Sequence, residues 1–145
     1  MVDHVSRNVR SAIMRSVTGV NTRPELQVRS QLHRLGFRFR LHDHTLPGRP
    51  DLVMKSHQAV VFVHGCFWHG HSGCRFAGLP KSNTTFWREK QTANRARDAR
   101  VERKLRQLGW RVHVVWSCEL KDPTGRVRRL HRLASRILAA KSHSR

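Results

Sequence analysis

Acidic residues are scarce in this sequence. Only 9 of its 145 residues are aspartate or glutamate, against 29 lysines and arginines, so the formal net charge is +20 and the isoelectric point is about 11.9. A chain with this imbalance repels itself unless a partner neutralises part of the charge. The composition therefore predicts binding to a polyanion such as a nucleic acid.

Long apolar runs and a paired set of cysteines are also missing. No run approaches the roughly 20 residues that a membrane-spanning helix needs, and residues 1–10 lack the apolar centre of a signal peptide. We therefore expect a cytoplasmic, nucleoid-associated protein with no membrane partner. Its three cysteines should be reduced there, and their odd number favours metal binding over disulfides.

The hydrophobic pattern predicts an α/β fold in which a mixed sheet is flanked by helices. The chain has material for one core and no internal repeat, so we expect a single domain over residues 1–145 and a monomer. A capping box with proline in the first turn, from Thr22 to Glu25, should open a helix that Gly36 ends. Further helices are predicted over about 85–108 and, strongly basic, 125–140, strands over 37–41, 51–54, 59–63 and 110–116, and a basic arm over about 1–21.

The segment from His64 to Cys74 holds two thiols, three imidazoles and two adjacent large aromatic residues. It follows an apolar run at 59–63 that is typical of a buried strand. Chemistry is commonly placed where a rigid strand passes into a loop. This segment is therefore the first candidate for a functional site.

Zinc is the first chemical hypothesis for this segment. Cys66, Cys74 and Cys118 with one imidazole would complete a tetrahedral structural site. Spacing alone does not choose the imidazole, because Cys66-x2-His69 and His71-x2-Cys74 are both typical zinc-binding spacings. The alternative is three buried free thiols, which we consider less favoured because so many histidines lie nearby.

Carboxylates are the second candidate. Asp51 follows Pro50 at the start of a predicted strand, where it could hold a divalent cation against a phosphate with the help of a main-chain carbonyl of the neighbouring strand. Spacing by itself favours a simpler role for Asp51, that of a turn residue that accepts hydrogen bonds from backbone amides. Asp98 lies among arginines and is, by pattern alone, typical of a salt-bridged surface acid.

Four separated stretches together resemble the very short patch repair (Vsr) mismatch endonucleases in content and order. They are LPGRPD at 46–51, VFVHGCFWHGH at 61–71, TFWREK at 85–90 with the segment 94–98, and 109–119 from GWRV to WSCE. The similarity spans about residues 6–120. It implies a zinc-containing relative of the restriction-endonuclease fold that nicks DNA 5′ of the thymine in T:G mismatches, which arise when 5-methylcytosine deaminates.

The resemblance also implies roles for individual residues. Asp51 and the Val63 carbonyl would bind catalytic Mg²⁺, His69 would be the general base, and His64 and Asp98 would orient water and phosphate. Structural Zn²⁺ would be held by Cys66, His71, Cys74 and Cys118. The residues that would intercalate into DNA are Phe67, Trp68, Trp87 and, from a minor-groove arm, Met14. Mismatch-repair proteins and a DNA polymerase are possible further partners implied by the family.

One departure and two alternatives accompany this interpretation. The chain lacks the E-x-K that follows PD in most restriction-type nucleases, and the family resemblance implies that histidine chemistry replaces it. We predict that Phe86, Trp110 and Trp116 belong to the core. A non-catalytic zinc-containing DNA- or RNA-binding protein would explain charge, cysteines and aromatics, and a plain restriction endonuclease would cleave both strands of matched DNA.

Overall fold

The computed structural model describes residues 21–141, with side chains for residues 21–139. The predicted basic arm, including Met14, lies outside the described residues. The described part holds three α-helices and four strands: α1 (Arg23–Arg34), β1 (Arg40–Leu41), β2 (Leu52–Met54), β3 (Ala59–His64), α2 (Thr84–Gln107), β4 (Arg111–Trp116) and α3 (Pro123–Lys141). Short 3-10 turns follow β2, precede α2 and follow β4.

The four strands form one mixed sheet in the order β1-β2-β3-β4. The first three strands are antiparallel neighbours, whereas β3 and β4 are parallel and are joined through α2. His64 and Trp116 are partners at the last position of the parallel pair. Because parallel strands end at the same edge of a sheet, the loops after β3 and β4 begin side by side.

Each face of the sheet is covered by a hydrophobic cluster. On one face, Val61 and Val115 pack with buried residues of α1 and α3, among them Leu32 and Leu133. On the other face, Val60 and Phe62 pack with Leu105 of α2. Alternate strand residues point to opposite faces, so β3 contributes to both clusters and is buried along nearly its whole length.

The helix ends follow the sequence signals. Thr22 Oγ1 accepts a hydrogen bond from the Glu25 amide at 3.3 Å, and proline lies in the first turn of α1. Gly36 and Gly109 have positive φ, +96° and +93°, just beyond α1 and α2, where a glycine meets the least steric resistance. The predicted α/β fold with a mixed sheet flanked by helices is confirmed.

Strand 37–41 was predicted too long. Only Arg40 and Leu41 pair with β2, opposite Val53 and Leu52, and β2 ends one residue later at Met54, so residues 37 and 38 have no strand residue opposite them. Phe37 is instead buried in the cluster beneath α1 and α3. Within the described residues, no helix is long and apolar enough to cross a membrane.

Candidate active site and metal centre

A cleft of about 450 Å³ lies beside the end of β3. It is lined by residues that the sequence places far apart, and all four predicted catalytic residues are among them: Asp51, His64, His69 and Asp98. Arg49 and Arg97 also line it. His42 lines it as well, so folding gathers two carboxylates, three imidazoles and two guanidinium groups around one open space.

Asp51 lies immediately before β2 and is held by its neighbour β3. Its Oδ2 accepts a hydrogen bond from the Val63 amide at 2.7 Å. Burial, together with the neighbouring carboxylate of Glu25, raises the pKa of Asp51 to about 8 despite this hydrogen bond. The pair of carboxylates therefore resists carrying two negative charges until a cation compensates them.

Glu25 was missed by sequence reasoning as a site residue. Its side chain is 1% exposed, and potential ligand atoms of Glu25, His42 and Asp51 all lie within 4.8 Å of one another. His42 Nε2 lies 2.8 Å from Glu25 Oε1, and the Asn21 amide donates to Glu25 Oε2. The capping box explained Glu25 locally, and no spacing signal connects residue 25 to residue 51, so only packing of α1 on the sheet reveals the pair.

His69 and Asp98 form a hydrogen-bonded pair. His69 Nδ1 lies 2.7 Å from Asp98 Oδ2, and both side chains are mostly buried. With Nδ1 donating its hydrogen to the carboxylate, Nε2 is the nitrogen that can accept a proton. Asp98 is therefore a partner of an imidazole, and its pattern-based interpretation as a salt-bridged surface acid was wrong.

His64 stacks on His69 with their rings parallel. The ring centroids are 3.8 Å apart and the planes differ by 6°. Burial, and to a lesser degree the adjacent His69 ring, lowers the pKa of His64 to about 4. His64 is thus neutral at neutral pH, and it supports the neighbouring ring without adding charge to the cleft.

One face of α2 holds the loop that carries His69. Gln91 Nε2 donates to the Phe67 carbonyl at 2.7 Å, and Asn94 Nδ2 donates to the Trp68 carbonyl at 2.8 Å. Asp98 then engages His69 itself. Positions 91, 94 and 98 lie on one face of a helix, so successive turns of α2 fix three successive loop residues, 67–69, which we call the aromatic loop.

The aromatic loop presents one exposed ring and one partly covered ring. Trp68 is 43% exposed, and Lys90 Nζ lies 5.3 Å from its ring centroid. Phe67 packs edge-on against Trp87 with centroids 5.2 Å apart. The prediction that Phe86 is a core residue was wrong: it is 57% exposed, because it lies on the outer side of the first turn of α2.

The other two predicted core tryptophans are partly buried. Trp110 packs against the cluster beneath α2. Trp116 stacks on His71, with centroids 4.0 Å apart and planes within 6°, and meets His64 edge-on at 5.2 Å. Trp116 therefore lies between the cleft and a second cluster of potential ligands.

That second cluster, which we call the Cys/His cluster, consists of Cys66, His71, Cys74 and Cys118. Their potential ligand atoms all lie within 4.8 Å of one another, and Cys118 Sγ is 3.6 Å from His71 Nδ1. Three sulfurs and one imidazole nitrogen at this separation fit a tetrahedral metal site. Burial and the adjacent Cys66 thiol raise the pKa of Cys118 to about 12.

Comparison with known proteins identifies relatives of this chain. A family model described as DNA mismatch endonuclease Vsr matches residues 2–75. The type II nicking enzyme V.XorIIP of Xanthomonas oryzae pv. oryzae is 57% identical over 122 residues, which cover 84% of this chain and 89% of that protein. This chain belongs to the Vsr family.

Two further relatives support the assignment. The type II nicking enzyme V.NmeAIP of Neisseria meningitidis is 44% identical over 137 residues, 94% of this chain and 97% of that protein. The DNA mismatch endonuclease Vsr of Escherichia coli K12 is 42% identical over 121 residues, 83% of this chain and 77% of that protein. The Vsr family is a family of DNA endonucleases, and a divalent metal is suggested by that chemistry.

The cleft of this protein departs from the usual restriction-nuclease pattern, in which PD is followed by E-x-K on the next strand. The third position of β2 is Met54, and β3 is apolar from Ala59 to Val63. The carboxylate next to Asp51 comes instead from α1 as Glu25, and a paired histidine lies in the same cleft. The absent E-x-K is thus matched by groups that other elements supply.

Proposed function

We propose that this Vsr-family protein nicks one strand of DNA 5′ of the thymine in a T:G mismatch. The proposal is supported most directly by one observation, the His69–Asp98 pair in the same cleft as Asp51. Family membership supports DNA as the substrate, and the net charge of +20 suits a polyanion.

His69 is the proposed general base. Asp98 holds Nδ1, so Nε2 takes the proton of the attacking water, and the nearby carboxylate stabilises the imidazolium that results. Such a base contributes about 10²–10⁴-fold to a rate. His64, stacked on His69 and neutral, limits the rotation of the ring, and Asp98 fixes its orientation.

Asp51 and the Val63 carbonyl are the proposed ligands of a catalytic Mg²⁺. The Asp51–Glu25 pair fits a cation because its shared burial already opposes a second negative charge. When bound, such an ion neutralises the charge that develops on the phosphodiester and orients the attacking water. Glu25 lies beside Asp51 and is itself paired with His42 and Arg29.

The Cys/His cluster is proposed to hold a structural Zn²⁺. The assignment of His71 as the ligand leaves His69 free for proton transfer, and the observed grouping of His71 with the three thiols supports this division. Since Cys66 follows β3 and Cys118 follows β4, the bound ion would join the ends of the parallel strands and steady the aromatic loop between them.

Mismatch recognition is assigned to the aromatic residues. Inserting a ring between base pairs costs a few kcal/mol of unstacking, and the cost is lowest at a mismatch. Trp68 is exposed and Phe67 packs on Trp87, so the three can act together as a wedge. Met14 remains a proposed wedge from the N-terminal arm.

The test is strand-resolved cleavage of short duplexes. Each strand carries its own label, and T:G, T:A and C:G versions share one sequence. We expect one nick in the thymine strand of the T:G duplex, dependent on added Mg²⁺. In the control reaction without Mg²⁺, the ion is left out of the buffer. A chelator is not used, because it would also remove metal from the Cys/His cluster.

Asp51→Asn is the matched variant, because an amide oxygen can still accept the hydrogen bond from the Val63 amide. It should bind the T:G duplex and fail to nick it. Binding without nicking by the wild-type protein would indicate a non-catalytic DNA-binding protein, and cleavage of both strands of the T:A duplex would indicate a restriction endonuclease.

A further inference from the structure

A tight turn over residues 46–49 forms one wall of the cleft. The Arg49 amide donates to the Leu46 carbonyl at 3.2 Å, and Gly48 has φ +71°. Pro-Gly at the centre of a turn with positive φ at glycine is typical of a type II turn. A Cβ at Gly48 would overlap the side chain of Val101, so the turn lies directly against α2 and has little freedom to shift.

Arg49 has an unfavourable backbone conformation. Its φ is +51°, in the left-handed region that a long side chain disfavours, and it precedes Pro50, which restricts its backbone further. Conformations of this kind are energetically costly and cluster at functional sites. Of the two positive φ values here, the turn itself requires only the one at Gly48.

The Arg49 side chain does not stabilise the described part of the fold through polar contacts. It is exposed at the cleft, and no hydrogen bond or ion pair joins its guanidinium to any described side chain or backbone group of residues 21–139. The nearby carboxylates are already occupied, Asp51 by the Val63 amide and Asp98 by His69. An unpaired guanidinium therefore lies beside the proposed reaction centre, on a residue whose backbone conformation is unfavourable.

We propose that Arg49 binds the non-bridging oxygens of the scissile phosphate. A guanidinium matches two phosphate oxygens at once and stays charged at every relevant pH. The attacking water gives a proton to His69 and forms a bond to phosphorus, while the bond from phosphorus to the leaving sugar oxygen breaks and that oxygen takes a proton from solvent. Negative charge grows on the non-bridging oxygens during this step, and a fixed cation stabilises this transition state more than the ground state. This inference rests on the proposed endonuclease function and adds a substrate-binding residue to it.

Three substitutions separate the guanidinium from the backbone. Arg49→Ala removes the side chain and keeps the strain, Arg49→Gly removes both, and Arg49→Lys keeps a charge without the planar fork. Arg132→Ala is the control, since Arg132 is an exposed arginine of α3, which packs on the sheet face opposite α2. All four are compared with wild type by single-turnover nicking, binding and thermal unfolding.

We expect kcat on the T:G duplex to fall about 10²-fold in Arg49→Ala and Arg49→Gly, less in Arg49→Lys, and not in Arg132→Ala. Arg49→Gly should unfold at a higher temperature than Arg49→Ala and be no more active. Added guanidinium ion at millimolar concentration should partly restore Arg49→Ala.

Several results would overturn the inference. Nicking by Arg49→Ala within threefold of Arg132→Ala would do so, as would activity that follows stability across the variants. An equal loss of affinity for T:G and T:A duplexes with unchanged kcat would make Arg49 a general DNA contact. Absence of nicking by the wild-type protein would instead reject the proposed function itself.

Discussion

The cleft beside β3 and the Cys/His cluster lie on either side of Trp116 and are held together differently. In the cleft, the main carboxylate and imidazole groups have partners from the protein: Asp51 has the Val63 amide, Glu25 has His42, and His69 has Asp98. In the cluster, the three thiols and the imidazole face one another, with support from Ser117 Oγ, which lies 3.3 Å from Cys66 Sγ, and from the Trp116 ring stacked on His71.

This difference shows that the two sites should fail in different ways. A cleft built on internal hydrogen bonds keeps its shape when one reacting group is removed, so its variants should fold and lose chemistry. A cluster in which three thiols and an imidazole face one another would depend on the proposed Zn²⁺ for its cohesion, so its variants should lose structure first. Trp116 contacts both His64 and His71, and through it damage to the cluster should reach the cleft.

The largest expected effect is loss of the cluster. Cys74→Ala should release the metal and lower the free energy of unfolding by several kcal/mol, because metal binding and folding are coupled. Ser72→Ala, an exposed position in the same loop, is the control and should leave both unchanged. Metal analysis should return about one zinc per chain for the wild-type protein, and a folded, active preparation without zinc would remove the site.

The next effect separates the two histidines that the sequence spacing left open. His69→Ala should keep zinc, fold and bind the T:G duplex, while nicking falls about 10²–10⁴-fold. His71→Ala should lose zinc and thermal stability before a specific kinetic defect can be measured. Zinc loss in His69→Ala with retention in His71→Ala would exchange the two assignments.

A smaller effect is expected at the exposed aromatic ring. Trp68→Ala should weaken binding to T:G more than to T:A duplex, by about 1–3 kcal/mol, the typical value of stacking on one base. Phe76→Ala is a matched control, because Phe76 is 40% exposed against 43% for Trp68 and lies outside the proposed wedge. Equal losses on the two duplexes would assign Trp68 to backbone contact or packing.

The smallest effect concerns acid stability away from both sites. Burial, and then Arg111, Arg136 and Arg129, lower the pKa of His113 to about 4 from its ordinary value of 6.5. As the pH falls, His113 takes up a proton in the unfolded chain before it does so in the folded chain. The free energy of unfolding therefore decreases between pH 6.5 and 4.

In His113→Leu, the free energy of unfolding should fall by about 1 kcal/mol less between pH 7.5 and 5 than in the wild-type protein. This value allows for partial screening by solvent. The measurement is denaturant unfolding at pH 7.5 and 5, with surface variant His44→Leu as the control. The two variants share any effect of acid on the Cys/His cluster. The difference between their changes in unfolding free energy therefore reports on His113 alone. An identical pH dependence in the two variants would contradict the prediction.

Local signals were sufficient for most of the fold. The capping residue Thr22 and the glycines at 36 and 109 mark helix ends through backbone geometry that neighbouring residues determine. The strand over 37–41 was predicted too long because its pairing depends on the length of β2, which is not local. Phe86 was misplaced because an aromatic residue at a helix start gives no sign of which side faces the core.

The candidate site was predictable only where a motif carried it. Spacing did not choose between His69 and His71, and pattern alone favoured surface or turn roles for Asp98 and Asp51. The family resemblance named these residues together, and the structure brings Asp51, His69 and Asp98 into one cleft and places His71 with the three thiols. Glu25 and Arg49 were not recognised, because the role of one depends on helix packing and that of the other on a backbone conformation.

The attachment of the aromatic loop to one face of α2 limits how this protein can change in length. Positions 91, 94 and 98 contact residues 67, 68 and 69 in turn, and a residue inserted between them would rotate everything beyond it by about 100°. Insertions and deletions should therefore be rejected between positions 91 and 98, where one residue too many would separate Phe67 and Trp68 from His69.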